Sequence, residues 1–281
     1  MPNPDMPFAP MQENAMPSQA GDLFRQGELQ AAIEAAGAAV KAAPVDIGAR
    51  VLLAEFLLFA GNGERADTLL DATSTMDPSA ALVVSEFRQL LRAEAARRQV
   101  LIEGRPPEFL GQPTETQARL LQALVALRAG DQPGAAGAVA AAEQFRPEVS
   151  GRQDGVAFAD FRDADDLSIG NFEVLTSTGK YFWVPTERVE SIEFHPARRP
   201  RDLFWRRCTM VVRDGPDGDV YLPAIYPSAL LPSDEPVGDG LRLGRATEWT
   251  ETAPVRGIGQ RVYMVGDDAV PVQQMSRLEF A

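Results

Sequence analysis

In 281 residues there is one cysteine, Cys208, one histidine, His195, and two lysines, Lys41 and Lys180. A single cysteine forbids an internal disulfide, which fits a reducing compartment. One Cys and one His cannot build a Cys/His zinc set. A phosphate-binding P-loop needs a Gly-Lys-Ser/Thr step, and Gly179-Lys180-Tyr181 does not supply it. Long apolar runs are also missing. The best stretch, Val51 to Ala60, carries Glu55 and falls short of the roughly 20 residues a membrane span requires. Met1 to Gln19 has no basic residue and no apolar centre, so it does not read as a secretory signal. Positive charge is scarce too: 27 basic residues face 40 acidic ones, a net −13. The deficit is spread evenly, with 12 basic and 19 acidic residues up to Ser150 and 15 and 21 after it. Spread negative charge argues against nucleic acid or an anionic membrane as partner. The expectation is a cytoplasmic chain whose hydrophobic content, 45%, can fill one large or two ordinary cores.

What is present is a repeat. Gly27, Ala32 and Pro44 recur 34 residues later as Gly61, Ala66 and Pro78, and a third set stands at Gly130, Ala135 and Pro147. This period, with Gly, then Ala, then Pro, is the pattern of tetratricopeptide helical hairpins. Glycine turns the chain between two helices, alanine lets them approach closely, and proline stops the second one. Such arrays usually bind other proteins.

The chain divides into three parts. Residues 1–18, with Pro2, Pro4, Pro7, Pro10 and Pro17, are expected to form a disordered tail. Residues 19–150 form a tetratricopeptide-like helical domain. Its helices are predicted at about 18–27, 28–42, 47–60, 64–75, 79–101, 114–129 and 133–145, with Asp77-Pro78 as a stop and Thr114 as a cap. Leu82, Phe87, Leu90, Leu91 and Val100 mark the buried face of the fifth. The period breaks at Gly104–Pro113, where Pro106 and Pro107 preclude a regular helix. That break reads as a shaped surface segment anchored by Phe109 and Leu110. Residues 151–281 form a β-rich, mostly antiparallel domain. Strands are predicted at Val156–Phe161, Phe172–Thr176, Lys180–Val184, Val189–Phe194, Cys208–Arg213, Asp219–Ile225, Arg261–Val265 and Val270–Met275. Tight turns fall at Thr178-Gly179 and Gly266-Asp267-Asp268, with a long loop around Pro232. The fold class is therefore α+β in two parts.

Candidate chemistry is sparse. His195 lies in Phe194-His195-Pro196 and reads as a strand-end histidine, although a triad with a serine or Cys208 is formally open. Asp160, Asp163, Asp165 and Asp166 form an acidic cluster that could hold a divalent cation. The spacing misses the calcium-loop pattern, so a solvated loop, or one paired with arginines, is preferred. Arg198, Arg199, Arg201, Arg206 and Arg207 form a basic cluster with Leu203, Phe204 and Trp205. Stacking on nucleic acid would use such a set, but the net charge favours an ion-pair site for the Asp160–Asp166 cluster. Gly257-Ile258-Gly259 lacks a third glycine and reads as a bulge or turn.

Three blocks carry a family resemblance. They are Arg92-Ala93-Glu94 continuing through Glu103-Gly104-Arg105-Pro106-Pro107-Glu108-Phe109; Asp165-Asp166 through Glu173-Val174-Leu175, Gly179-Lys180-Tyr181-Phe182-Trp183-Val184-Pro185 and Pro200-Arg201-Asp202-Leu203-Phe204-Trp205-Arg206; and Val220-Tyr221-Leu222-Pro223-Ala224-Ile225-Tyr226-Pro227. Together they resemble the ImpE/TagJ family, also called SciE-type virulence proteins, which are accessory proteins of bacterial type VI secretion systems. The match runs over about 20–280. The resemblance implies a cytoplasmic, non-enzymatic adaptor. Its implied partners are the small subunit of the contractile sheath and ClpV, the AAA+ ATPase that recycles contracted sheath. It implies no catalytic, cofactor-binding or metal-binding residue. Within the blocks, Arg105, Phe109, Arg201, Asp202 and Trp205 are the candidate partner contacts. The competing readings are a hydrolase using the β-rich half, and a structural sheath or baseplate subunit.

Overall fold

The structure, a computed structural model, describes residues 19–76, 81–229 and 236–281. The predicted tail, the Asp77-Pro78 stop, the Pro232 loop and the side chain of Leu82 lie outside what is described. Seven helices of the first half are α1 (Gln19–Gln26), α2 (Leu29–Ala42), α3 (Ile47–Phe59), α4 (Gly63–Met76), α5 (Ala81–Ile102), α6 (Glu115–Arg128) and α7 (Gln132–Phe145).

The repeat has a direct physical reading. Gly27, Gly61 and Gly130 join α1 to α2, α3 to α4 and α6 to α7, and their φ angles are +92°, +72° and +74°. A side chain resists that left-handed conformation. Ala32, Ala66 and Ala135 are fully buried where the paired helices approach. Thr114 caps α6 by accepting from Gln117 N at 3.2 Å, while Gln117 Oε1 accepts from Thr114 N at 3.0 Å, a reciprocal capping box. The long α5 packs against α4 and against the strands of the second half. After it, the Gly104–Pro113 break supplies β1 (Glu108–Phe109), which pairs in parallel with a strand of the second half. The break is therefore shaped, but by sheet addition as well as by anchoring on helices.

The second half contains β2 (Gly151–Gln153), β3 (Val156–Phe158), β4 (Phe161–Asp163), β5 (Asn171–Leu175), β6 (Tyr181–Pro185), β7 (Val189–Phe194), the short helix α8 (Pro200–Phe204), β8 (Trp205–Val212), β9 (Asp217–Pro223), α9 (Asp239–Arg242), β10 (Thr247–Trp249), β11 (Gly257–Gly259), β12 (Val262–Val265), β13 (Asp268–Pro271) and β14 (Arg277–Phe280). Eight of these strands, with β1, build one sheet in the order β1-β6-β5-β9-β8-β7-β14-β2-β3. All its pairs except β1–β6 are antiparallel. A smaller sheet, β13-β12-β4, and the β10–β11 pair complete it.

The large sheet is buried on both faces around β5, β6 and β8, and strand alternation sorts the side chains between two cores. Leu175, Tyr181, Trp183, Trp205 and Tyr221 join the core of the helices. Phe172, Val174, Val184, Cys208 and Leu222 join a second core with Phe161, Tyr263 and Phe280. Phe161 stacks on Tyr263 at 5.0 Å, with the Phe280 ring edge-on at 5.3 Å. The helices thus share one core with the sheet, and helix gives way to strand between Phe145 and Gly151.

Several sequence expectations need correction. Val156–Phe161 is two strands belonging to two sheets, β3 and β4. The expected last strand ends at Pro271, and β14, a central strand, was not foreseen. Gly257-Ile258-Gly259 is a strand rather than a turn. Its glycines are required by close approach, since a Cβ on Gly257 would lie 2.2 Å from the Tyr226 ring. Among the described residues, no helix is long and apolar enough to cross a membrane.

Candidate functional site

Helix α5 lies across the sheet and presents charged side chains to it. Arg97, 1% exposed, donates through Nε and Nη2 to Glu173 on β5, at 2.9 and 3.0 Å. Its Nη1 meets Glu94 at 3.1 Å, and Glu94 in turn accepts from Trp205 Nε1 at 2.9 Å. Glu173 also accepts from Tyr181 OH and from Arg261, which bridges to Asp163 at 2.7 Å. Tyr226 OH donates to Asp163 at 2.8 Å. Burial alone would raise the Glu173 carboxyl, but Arg97 and Arg261 hold it well below the usual carboxylate range. Burial would likewise lower Arg97, and Glu173 with Glu94 outweighs it. The network joins the helical half to the sheet through paired, hydrogen-bonded charges, the condition under which buried charge is tolerated.

Beside this network a cleft of about 360 Å³ opens between the C-terminal ends of α5 and α6 and the segments 165–168 and 227–228. Its apolar lining includes Leu101, Ile102, Leu124, Leu127, Leu167 and Trp183. Ile102 is 40% exposed at the end of α5. The charged lining is Arg128, Arg256, Asp165 and Glu173. Asp165 accepts from Leu167 N and Gly257 N, both at 2.8 Å. Burial, reinforced by Asp163, pushes its carboxyl up to about 7 against those two bonds. Arg128 donates to Val100 O at 3.1 Å. The Nε of Arg256 is buried with no hydrogen-bond partner. The lining is mainly apolar, with two carboxylates and two guanidinium groups. The cleft is the size of a small recognition pocket.

The candidate contacts named from sequence do not converge on it. Arg105 is exposed beyond α5 and donates to Gln99 at 2.9 Å. Phe109 is half-buried on the edge strand β1. Asp202 is partly buried and accepts from the Arg198 and Arg199 backbone N–H groups. Trp205, 1% exposed, and Arg201, 8% exposed, lie in the interior. Arg201 is over the Phe87 ring at 5.1 Å, and Trp205 sits edge-on to the same ring at 6.0 Å. Arg201 and Trp205 are therefore corrected from surface contacts to packing residues between helices and sheet.

The acidic and basic clusters do not pair with each other. Asp160 pairs with Arg146 at 2.7 Å, and Asp163 with Arg261. Asp166 accepts from Val255 N at 2.6 Å. In the basic cluster, Arg199 reaches Glu55 on α3 at 2.5 Å, and Arg207 pairs with Asp219 at 2.6 Å. Among the described residues, no group of three or more His, Cys, Asp or Glu is placed to hold a metal ion. His195 Nε2 lies 3.0 Å from Thr209 Oγ1 and 3.6 Å from Asp219. Cys208 is fully buried and its thiol is pushed up by burial, the opposite of an activated nucleophile. Sequence reading missed Arg97, Arg261 and the cleft. The available signal was the spacing of Glu86, Glu94 and Arg97, which places three charges along the stripe of α5 that also carries Leu90, Ala93 and Val100.

The chain is similar to known proteins over nearly its whole length. The family model described as ImpE protein matches residues 155–279, and a tetratricopeptide repeat model matches residues 23–85. A relative from Pseudomonas aeruginosa, the type VI secretion system accessory component TagJ, is 30% identical over 261 residues, covering 93% of this chain and 90% of the relative. A crystal structure of a Vibrio parahaemolyticus protein superposes with a TM-score of 0.86 at 26% identity, covering 94% of this chain and 98% of that one.

Proposed function

The chain belongs to the ImpE family, and from that membership we propose that it is a non-enzymatic accessory component of a type VI secretion system, working in the cytoplasm. In this reading it is an adaptor that binds the small subunit of the contractile sheath and links it to the ClpV ATPase. The observation that carries the reading is the 30% identity to an accessory component spread over 93% of this chain, so that both halves share the likeness. The architecture supports it. Helical hairpins stacked on a sheet leave apolar clefts at helix ends, and a partner helix needs only apolar anchors at helical spacing to dock there.

The test uses the full chain with purified proteins. Isothermal titration against the small sheath subunit is expected to give saturable binding near one to one. Size-exclusion chromatography with ClpV added is expected to give a larger complex containing all three. A chain that binds neither protein would remove the adaptor reading. Binding of the sheath subunit without ClpV would reduce the role to holding the subunit.

A further inference from the structure

One short segment of the second half, residues 237–245 with α9 inside it, meets the helices of the first half at three of their ends. Helix α2 has no side-chain cap of its own, since Glu28 precedes it without a capping hydrogen bond. Asp239 supplies the cap from 210 residues away, its Oδ2 accepting from Leu29 N at 2.9 Å. Arg245 Nη2 donates to Phe24 O and Arg25 O in the last turn of α1, at 2.6 and 2.9 Å. Arg242 Nη1 donates to Ala60 O, the C-cap of α3, at 3.3 Å. Each sign suits its helix end. The carboxylate stands at a start and the guanidinium groups at two finishes, where unpaired N–H and C=O groups concentrate partial charge. The turn between α1 and α2 fits this segment closely, since a Cβ on Gly27 would lie 2.9 Å from Arg245 Nη1. Leu243, 1% exposed, fixes the segment in the core of the helices.

The helices differ in how much else holds them. Of the residues that α1 and α2 bury, only Phe24, Leu29 and Ile33 are larger than alanine. Helix α3 buries a longer apolar set that includes Leu53, Phe56 and Phe59. It is also tied to the second half independently, by Phe204 edge-on to Phe59 at 5.2 Å and by Arg199 on Glu55 at 2.5 Å. We propose that residues 237–245 are a clasp for the α1–α2 hairpin, and that with the clasp released the hairpin opens as one unit while α3 and the sheet stay folded. A unit with few buried apolar contacts sits at the low end of the range of local stabilities. Charge-assisted hydrogen bonds to its helix ends then decide a larger share of its stability than they would for a core helix. On opening, Phe24 leaves its stacking on Phe56 at 4.8 Å and its edge contact with Phe59 at 5.2 Å. The device thus uncovers apolar surface on α3 without disturbing the network around Glu173.

The experiment is hydrogen–deuterium exchange of the full chain, read peptide by peptide in a mass spectrometer, with thermal melts alongside. The variants are Asp239→Ala, Arg245→Met and, as a control, Asp131→Ala. The control removes a cap of the same kind made locally, where Asp131 Oδ1 accepts from Gly134 N at 2.9 Å in the first turn of α7. In the wild type, amides of residues 20–42 are expected to exchange faster than those of α5 and β5. Asp239→Ala and Arg245→Met should each speed exchange across 20–42 about fivefold and leave α5, β5 and β8 unchanged. Asp131→Ala should leave 20–42 as in the wild type. If Arg245→Met does not fold, Arg245→Lys takes its place. It keeps the cation without the forked donors and should raise exchange in the same direction by less. Unchanged exchange over 20–42 in both the Asp239 and the Arg245 variant would overturn the clasp. An equal rise over the whole chain would overturn the separate opening, since the hairpin would then unfold only with everything else.

Discussion

Replacing Glu173 with glutamine should destabilise the whole chain. The carboxylate is 3% exposed and accepts from Arg97 twice, from Tyr181 and from Arg261. An amide keeps the shape but removes the charge that offsets two guanidinium groups. Arg261 retains Asp163, and Arg97 retains Glu94, which is partly exposed, and the Ile225 carbonyl. Breaking a buried pair by removing one partner costs about 3–5 kcal/mol. For a chain of this size that corresponds to a drop in Tm of about 5–9 °C. The assay is urea unfolding read in parallel by far-UV circular dichroism and by tryptophan fluorescence, since Trp183 and Trp205 both sit where helices meet sheet. The two probes should move together, because Arg97 and Glu173 belong to opposite sides of one core. The double variant Arg97→Met, Glu173→Leu should recover part of the loss, as apolar replacement of a buried pair often does. A loss below about 1 kcal/mol for the single variant, or separate transitions for helix and sheet in the wild type, would refute this account of how the halves are joined.

Other expectations follow from single positions. Ala66→Leu, at a fully buried contact between α3 and α4, should cost about 1–3 kcal/mol by overpacking, and an unchanged urea midpoint would contradict the close helix approach. Phe109→Ala should cost about 1–2 kcal/mol rather than the larger penalty of a full core ring, because the ring is only half-buried on an edge strand; chemical unfolding at neutral pH measures it. Burial raises the Glu55 carboxyl from an ordinary value near 4.5 to about 7, against Arg199 and Arg201. The folded state then holds a proton that the unfolded chain has lost, so stability should fall as pH rises from about 4.5 to 7, by about 3 kcal/mol for this group. Asp165 acts in the same direction. Glu55→Gln should flatten that fall in unfolding free energies measured between pH 5 and 8, and identical pH profiles would show that Glu55 does not titrate there.

The helical half was legible in the chain because its signals are local. A glycine that must turn left-handed, an alanine that must be small and a capping Thr114 act within a few residues, so their spacing announces the hairpins and the family that carries them. Strands β5, β6 and β7 were legible for the same reason, through alternation and the Gly179 turn. What only the tertiary structure decided is long-range. Whether Arg97 faces solvent or Glu173 depends on where β5 lies, 76 residues away. β14 and β2 are short and carry Arg277, Glu279 and Arg152, so no local pattern marks them, and they become strands by pairing with each other. Trp205 and Arg201 looked like surface contacts because an aromatic among arginines reads the same on a surface and in an interior until the packing partner, Phe87 on α5, is known. The cleft belongs wholly to this second class: its lining comes from seven separate stretches of chain, and only the docking of helices on the sheet brings them to one place.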